Sequence, residues 1–205
     1  MTMRRQAPAR RRGLGLALVL LALALISPPH SAGASEVEEL NPDLAAQLHL
    51  KILSYDRALP ARAHGRLVLG ILYRPEREES ERVRASMQAA FIERAGRTPV
   101  QGMTLSVMPI ACGDPKTLQK RLQDAGVNLL YVTPGLEDVV GAIATAALAL
   151  KAPTLTGRRG LIDAGLAVAV VTHDEKPAIA VNLPVAKALG MDLDPALLRL
   201  AEVRR

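Results

Sequence analysis

The 205-residue chain has no tryptophan, one phenylalanine (Phe91), three tyrosines (Tyr55, Tyr73, Tyr131) and one cysteine (Cys112). So few rings offer no platform on which successive bases could stack, which argues against nucleic acid as a partner. A single cysteine cannot close a disulfide within its own chain, and it does not stand just after an apolar leader, as a lipoprotein would require. Cys112 is either a small buried apolar side chain, the favoured case, or a reactive or intermolecularly bridging thiol. Residues 1–34 also lack any acid.

What those 34 residues do contain is ordered like an export signal. Arg4, Arg5, Arg10, Arg11 and Arg12 lead into the apolar run Leu14 to Ile26, followed by Pro28, Pro29 and Ala32-Gly33-Ala34. Basic head, apolar middle and small residues before the cut are the parts of a signal peptide. Thirteen helical residues would reach only about 20 Å against a hydrocarbon core of about 30 Å, too short to remain as a span. Residues 1–34 are therefore expected to be removed between Ala34 and Ser35, in a periplasmic protein. Removal takes five of the 26 basic residues and none of the 20 acidic ones, leaving about +1 in place of +6. The basic balance belongs to the leader and says nothing of an anionic partner.

Residues 35–43 read as a flexible segment and 44–205 as one domain. A helix is expected from Leu44 to Leu59, ended by Pro60. Strands and helices then alternate. Leu67 to Leu72 is an apolar strand, Glu79 to Ala95 a helix with Gly96 after it, and Met103 to Met108 a second strand. Asp114-Pro115 caps a helix that stops at Gly126, and Val127 to Val132 is the third strand. Thr133-Pro134 repeats the cap pattern for a helix to Leu150 that is apolar nearly all round and so wedged deep. Pro153 to Thr156 is a short fourth strand. Leu166 to Thr172 and Ala178 to Asn182, separated by His173-Asp174-Glu175-Lys176, form a hairpin. Asn182 caps a short helix, and Asp194-Pro195 starts a last one that ends near Val203 and packs through Leu197, Leu198, Leu200 and Val203. The fold class that follows is α/β, a three-layer sandwich with a mainly parallel sheet and a C-terminal antiparallel hairpin.

Gly113-Asp114-Pro115-Lys116-Thr117 follows a strand like a phosphate loop, but proline stands where a phosphate-binding amide is needed, leaving an ordinary capped helix. His49, His64 and His173 have no metal-ligand spacing, and no cofactor motif is present. His49 is expected as a boundary residue on the first helix, His64 in a loop and His173 at the hairpin tip. Glu137-Asp138 fits the first turn of a helix better than an acid pair. In open α/β sheets ligands gather at the strand carboxyl ends, here lined by Tyr73, Arg74, Thr133, Thr156, Gly157 and Arg158, where helix starts beside arginines could hold a small anion.

The C-terminal third carries a resemblance. Ile179-Ala180-Val181-Asn182-Leu183, Ala186 to Gly190 and Leu197-Leu198-Arg199-Leu200-Ala201 resemble the ending of the YfiR family, a strand into "I-N-L" followed by an "L-L-x-L-A" helix. Leu50 to Tyr55 is similar to that family's opening helix. The resemblance spans about residues 41–205. It implies a periplasmic protein without catalytic activity, which restrains a membrane-bound diguanylate cyclase through its periplasmic sensor part. The opening helix here holds only Tyr55 where the family is usually rich in Phe and Trp, and Cys112 has no cysteine to pair with, so the partner could equally be a membrane histidine kinase. The leading expectation is a regulator acting by protein contact, the alternative a small-ligand binding protein. A homodimer and a small anionic ligand stay open as further partners.

Overall fold

Asparagine and aspartate open four helices, each with a proline at the first or second helical position. In the computed structural model, which describes residues 40–97 and 99–205, Asn41 Oδ1 accepts from the Asp43 amide at 2.9 Å and starts α1 (Pro42–Ser54). Asp114 accepts from the Lys116 amide at 2.9 Å ahead of α4 (Pro115–Asp124). Asn182 accepts from the Val185 amide at 3.3 Å for α7 (Leu183–Ala188), and Asp194 from the Ala196 amide at 2.7 Å for α8 (Pro195–Leu200). Each satisfies an amide that a first helical turn leaves without a partner, and the proline in that turn has none to satisfy. The expected leader and its cleavage point at Ala34 and Ser35 lie outside the described residues.

Seven strands form one sheet: β1 (Arg66–Tyr73), β2 (Thr104–Ala111), β3 (Leu129–Val132), β4 (Thr154–Thr156), β5 (Val168–His173), β6 (Lys176–Asn182) and β7 (Glu202–Arg204), in the order β2-β1-β3-β4-β5-β6-β7. β1 to β5 are parallel, and β6 and β7 run against them. The β5–β6 hairpin turns through Asp174 and Glu175, both at positive φ, the paired left-handed geometry of a tight two-residue loop. α3 (Glu78–Arg97) follows β1 and packs with α1, while α5 (Val140–Leu150) packs with α4. The connection leaves β1 in one direction and returns past it in the other, so right-handed crossovers place these pairs on opposite faces. This is the three-layer α/β arrangement expected from the sequence. Leu67, Leu69, Ile71 and Leu72 of β1 are fully buried, as a strand covered on both faces requires. A Cβ on Gly70 would sit 3.0 Å from Ile110 Cδ1, so the glycine lets neighbouring side chains close over the strand.

β2 is an edge strand and extends past Met108 through Pro109. The Cys112 amide donates to the Tyr73 carbonyl at 2.6 Å in an unbroken register, so even-numbered residues turn their amides toward β1. Pro109 therefore falls in the row that faces the open edge, where its missing N–H costs nothing and discourages pairing with another chain.

Several boundaries differ from those the sequence suggested. The first helix stops at Ser54, and Pro60 lies in the first turn of α2 (Leu59–Ala63), because the buried carboxylate of Asp56 draws the chain out of α1. α3 continues through Gly96 to Arg97, supported by the Arg97–Glu93 ion pair at i and i+4. Thr133 caps nothing: its hydroxyl donates to the Leu72 carbonyl at 2.9 Å and bonds the Ser80 hydroxyl at 2.6 Å. The following helix is delayed to a 3-10 turn (Glu137–Val139) and α5, which is not wedged deep. Only Ile143, Ala146 and Ala147 of α5 are buried. A further helix, α6 (Arg159–Asp163), follows β4.

The last helix ends at Leu200, which is 77% exposed and not packed as expected. Residues 202–204 form β7 instead, because Glu202 pairs with Arg159, Arg204 with Asp163 at 2.5 Å, and Val203 turns inward between them. These long-range partners outweigh the helical period of the segment. Leu197 is 2% exposed, and each fully buried aliphatic side chain contributes about 1.5–3 kcal/mol against a total stability of about 5–15 kcal/mol. A chain ending at Asp194 is therefore expected to lose its cooperative thermal transition. An unchanged Tm would show that the C-terminal segment is not part of the folded unit.

Candidate functional site

β1, β3, β4 and β5 all end at one rim, because parallel strands send their carboxyl ends the same way. Of the six residues proposed from sequence, Gly157 and Arg158 line a cavity there. An apolar slot of about 40 Å³ lies between α1, α3 and the sheet, walled by Val83, Met87, Tyr131, Gly157 and Val170. It adjoins an open mouth of about 530 Å³ bordered by Glu79, Pro134, Glu137, Arg158, Arg159 and Thr172. Gly157 lets the Tyr131 hydroxyl come close to the backbone, since a Cβ there would stand 3.2 Å from it and one of the two would have to shift.

The other four residues hold the rim together and do not line the cavity. Thr133 is bonded to Leu72 and Ser80, as above, and the Thr156 hydroxyl donates to the Val132 carbonyl at 2.9 Å. Both threonines are fully buried and tie strand ends to their neighbours. The Tyr73 ring lies under the Arg84 guanidinium, 5.4 Å from its centroid. Arg74 pairs with Asp138 at 3.0 Å, and its amide donates to the Ser80 hydroxyl at 2.9 Å. The guanidinium hydrogen bond holds the Asp138 carboxyl below the usual carboxylate range and raises Arg74 in return. Asp138 is thus the counter-charge of Arg74.

The cations of the mouth are likewise committed, Arg158 to Glu79 and Arg159 to Glu202. An anion entering there must compete with a carboxylate already in place, so the rim is a set of internal ion pairs. Sequence reasoning missed Glu79, Arg159 and Thr172. Arg159 beside Arg158 at a strand end was the available signal, whereas Glu79 arrives from another element and gave none.

Cys112 stands close by at the end of β2 and is buried. Burial pushes its thiol up, against the pull of Arg74 and Arg121, which makes it a small packing group and a poor nucleophile. Among the described residues no cluster of three or more His, Cys, Asp or Glu could hold a metal, and no helix is long and apolar enough to cross a membrane. His173 is at the hairpin tip and His64 closes α2 in a left-handed conformation. His49 is not a boundary residue: it is fully buried, with both ring nitrogens unpaired, against Phe91 and Tyr131.

Solved structures share this architecture. A conserved domain protein from Vibrio cholerae O1 biovar El Tor is 12% identical and matches 80% of this chain and 60% of its own, with a TM-score of 0.59. An ABC domain in complex with L-Trp from Streptococcus pneumonia is 12% identical over 78% of this chain and 60% of its own, at 0.56. A ligand-free, open substrate binding protein with adhesive properties from Clostridium difficile is 15% identical over 72% and 57%, at 0.51. At such identities the likeness shows the fold alone, and the chain spans about three fifths of the length of these structures. No curated protein matches the chain. The family model DUF4154, described as YfiR/HmsC-like, matches residues 42–202, from the first residue of α1 into β7. With the strand, cap and helix order of that match now seen in three dimensions, the chain belongs to the YfiR/HmsC-like family.

Proposed function

We propose that this chain is a periplasmic regulatory protein that modulates a membrane-bound signalling enzyme, a diguanylate cyclase or a sensor kinase, by protein contact. The observation that carries it is the family match over residues 42–202, which takes in nearly all of the described fold. The rim chemistry supports it. Arg74, Arg158 and Arg159 each have a carboxylate partner in their own chain. Cys112 is buried with a raised thiol, so it is not an activated nucleophile at the strand ends. Such a protein acts on its partner's equilibrium and not on a substrate.

Deleting the gene should change cellular cyclic di-GMP or the output of a sensor kinase, and a Cys112→Ser copy should restore the normal level. An unchanged output would contradict a regulatory role. One observation favours a second reading, a small-ligand binding protein: the strand-end mouth adjoins an apolar slot, in a fold shared with substrate binding proteins, one of them a complex with L-Trp. There, Arg158→Ala should weaken an anionic solute strongly while leaving partner binding intact, unless the rim is itself the docking surface.

A further inference from the structure

The apolar slot and the open mouth at the strand ends share the walls Pro134, Gly157, Arg158, Val171 and Thr172, so they form one continuous depression. Its inner part is small. The slot of about 40 Å³ has room for the two methyl groups of a branched alkyl end and for no aromatic ring, since the cavity that holds a benzene measures about 150 Å³. Its apolar walls Ala45, Val83, Met87 and Val170 suit such an end. The head group of the same ligand would stand in the mouth, beside the charges that border it.

Of the arginines that border the mouth, only Arg158 also lines the slot. Glu79 reaches its guanidinium from the first turn of α3. The Arg158 side chain keeps 27% of its surface in solvent and that of Glu79 keeps 47%. An ion pair this exposed contributes little, so an incoming carboxylate meets a competitor weak enough to displace. Glu137, the other acid of the mouth, is exposed and accepts from the Gly135 amide at 3.2 Å, so its charge is directed to its own turn and screened by solvent.

We propose that the depression binds a short branched-chain carboxylate, its alkyl end in the slot and its carboxylate taking Arg158 from Glu79, so that Glu79 is a built-in competitor that sets the affinity. The inference rests on the small-ligand reading and adds to it the ligand class and the residue that opposes binding. A carboxylate head offers the Arg158 guanidinium the same acceptors that Glu79 does. Arg159, paired with Glu202 and outside the slot, keeps its partner.

The probe is 3-methylbutanoate, titrated into the exported protein by calorimetry and followed through amide shifts in NMR spectra. A ligand this small should bind at about millimolar strength, with shifts gathered at Gly157, Arg158 and Val171. Phenylacetate, whose ring the slot excludes, should bind at least about tenfold more weakly. Arg158→Gln should weaken 3-methylbutanoate by about tenfold or more, as the loss of a charged hydrogen-bond donor does. Glu79→Gln should act in the opposite direction and tighten it about two- to fivefold, the usual effect of an exposed ion pair. Both side chains are partly exposed, so Tm should not move in either variant. A Glu79→Gln protein that binds no more tightly than the parent would overturn the proposal. A parent that ignores 3-methylbutanoate at about 20 mM yet binds another small solute would overturn it too and leave the small-ligand reading standing. A parent that binds no solute of a broad set would remove that reading as well.

Discussion

Replacing Asp56 with alanine should lower stability by about 3–5 kcal/mol, the usual effect of removing one partner from a buried ion pair. Asp56 is fully buried. Its Oδ2 accepts from Arg62 at 2.7 Å, and its Oδ1 from the amides of Ala58 at 3.1 Å and Asp192 at 2.9 Å. One carboxylate thus fixes the α1–α2 corner and clamps it to the segment ahead of α8, where Arg57 also pairs with Asp192. Gln101 completes the joint by donating to the carbonyls of Leu53, Ser54 and Asp56. Without Asp56, a mostly buried guanidinium and two amides lose their acceptor together. Urea unfolding should show the midpoint falling at unchanged slope, with Asp56→Asn intermediate because it keeps an acceptor oxygen. An Asp56→Ala midpoint within about 0.5 kcal/mol of the parent would mean that the corner is held by something else.

Stability should also fall as pH drops from about 6.5 toward 4, through one residue. His49 has no partner for either nitrogen, and burial lowers its pKa from 6.5 to about 3. Its charged form is disfavoured in the folded state and not in the unfolded chain. Between those two values the unfolded state binds the extra proton, so stability rises with pH across the window and is lost as pH falls through it. The full difference, reached only below the folded-state value, is roughly 5 kcal/mol, at about 1.4 kcal/mol for each pKa step. Thermal melts at pH 7.5, 6, 5 and 4 should show the decline, beyond a His49→Leu control that carries whatever the carboxylates contribute. At pH 7.5 His49→Leu should be neutral or stabilising, because it removes two unsatisfied polar atoms from the core. Parallel melting curves for parent and variant would mean that the imidazole finds water or a partner.

The parts of the fold legible in the sequence were those set by local chemistry. Asn41, Asp114 and Asp194 before proline opened helices because a short acceptor reaches the second helical amide unaided. The continuous apolar run of β1 and the polar hairpin turn were likewise determined by their own residues. Thr133-Pro134 failed because its hydroxyl was already engaged by Leu72 and Ser80, a contact between segments 53 or more residues apart. β7 was missed for the same kind of reason, since Glu202 and Arg204 are drawn into the sheet by Arg159 and Asp163. His49 sits in a helical period in which polar residues normally face out, and only the assembled core shows that it faces Phe91 and Tyr131.

The candidate site divides the same way. Strand ends are ordered by topology, so Gly157 and Arg158 could be placed at a rim from sequence. What sequence could not supply was the counter-charge of each arginine. Glu79 lies on α3 and Asp138 on the turn before α5, and they pair with Arg158 and Arg74 at the strand ends.

The central claim, regulation by contact, is tested most directly by titrating the purified exported protein onto membranes that contain the signalling enzyme while its product is measured. The account predicts saturable binding through the enzyme's periplasmic part and a change in cyclic di-GMP synthesis or autophosphorylation that tracks occupancy. Membranes that bind none of the protein, with enzyme output unchanged at saturating concentration, would contradict it.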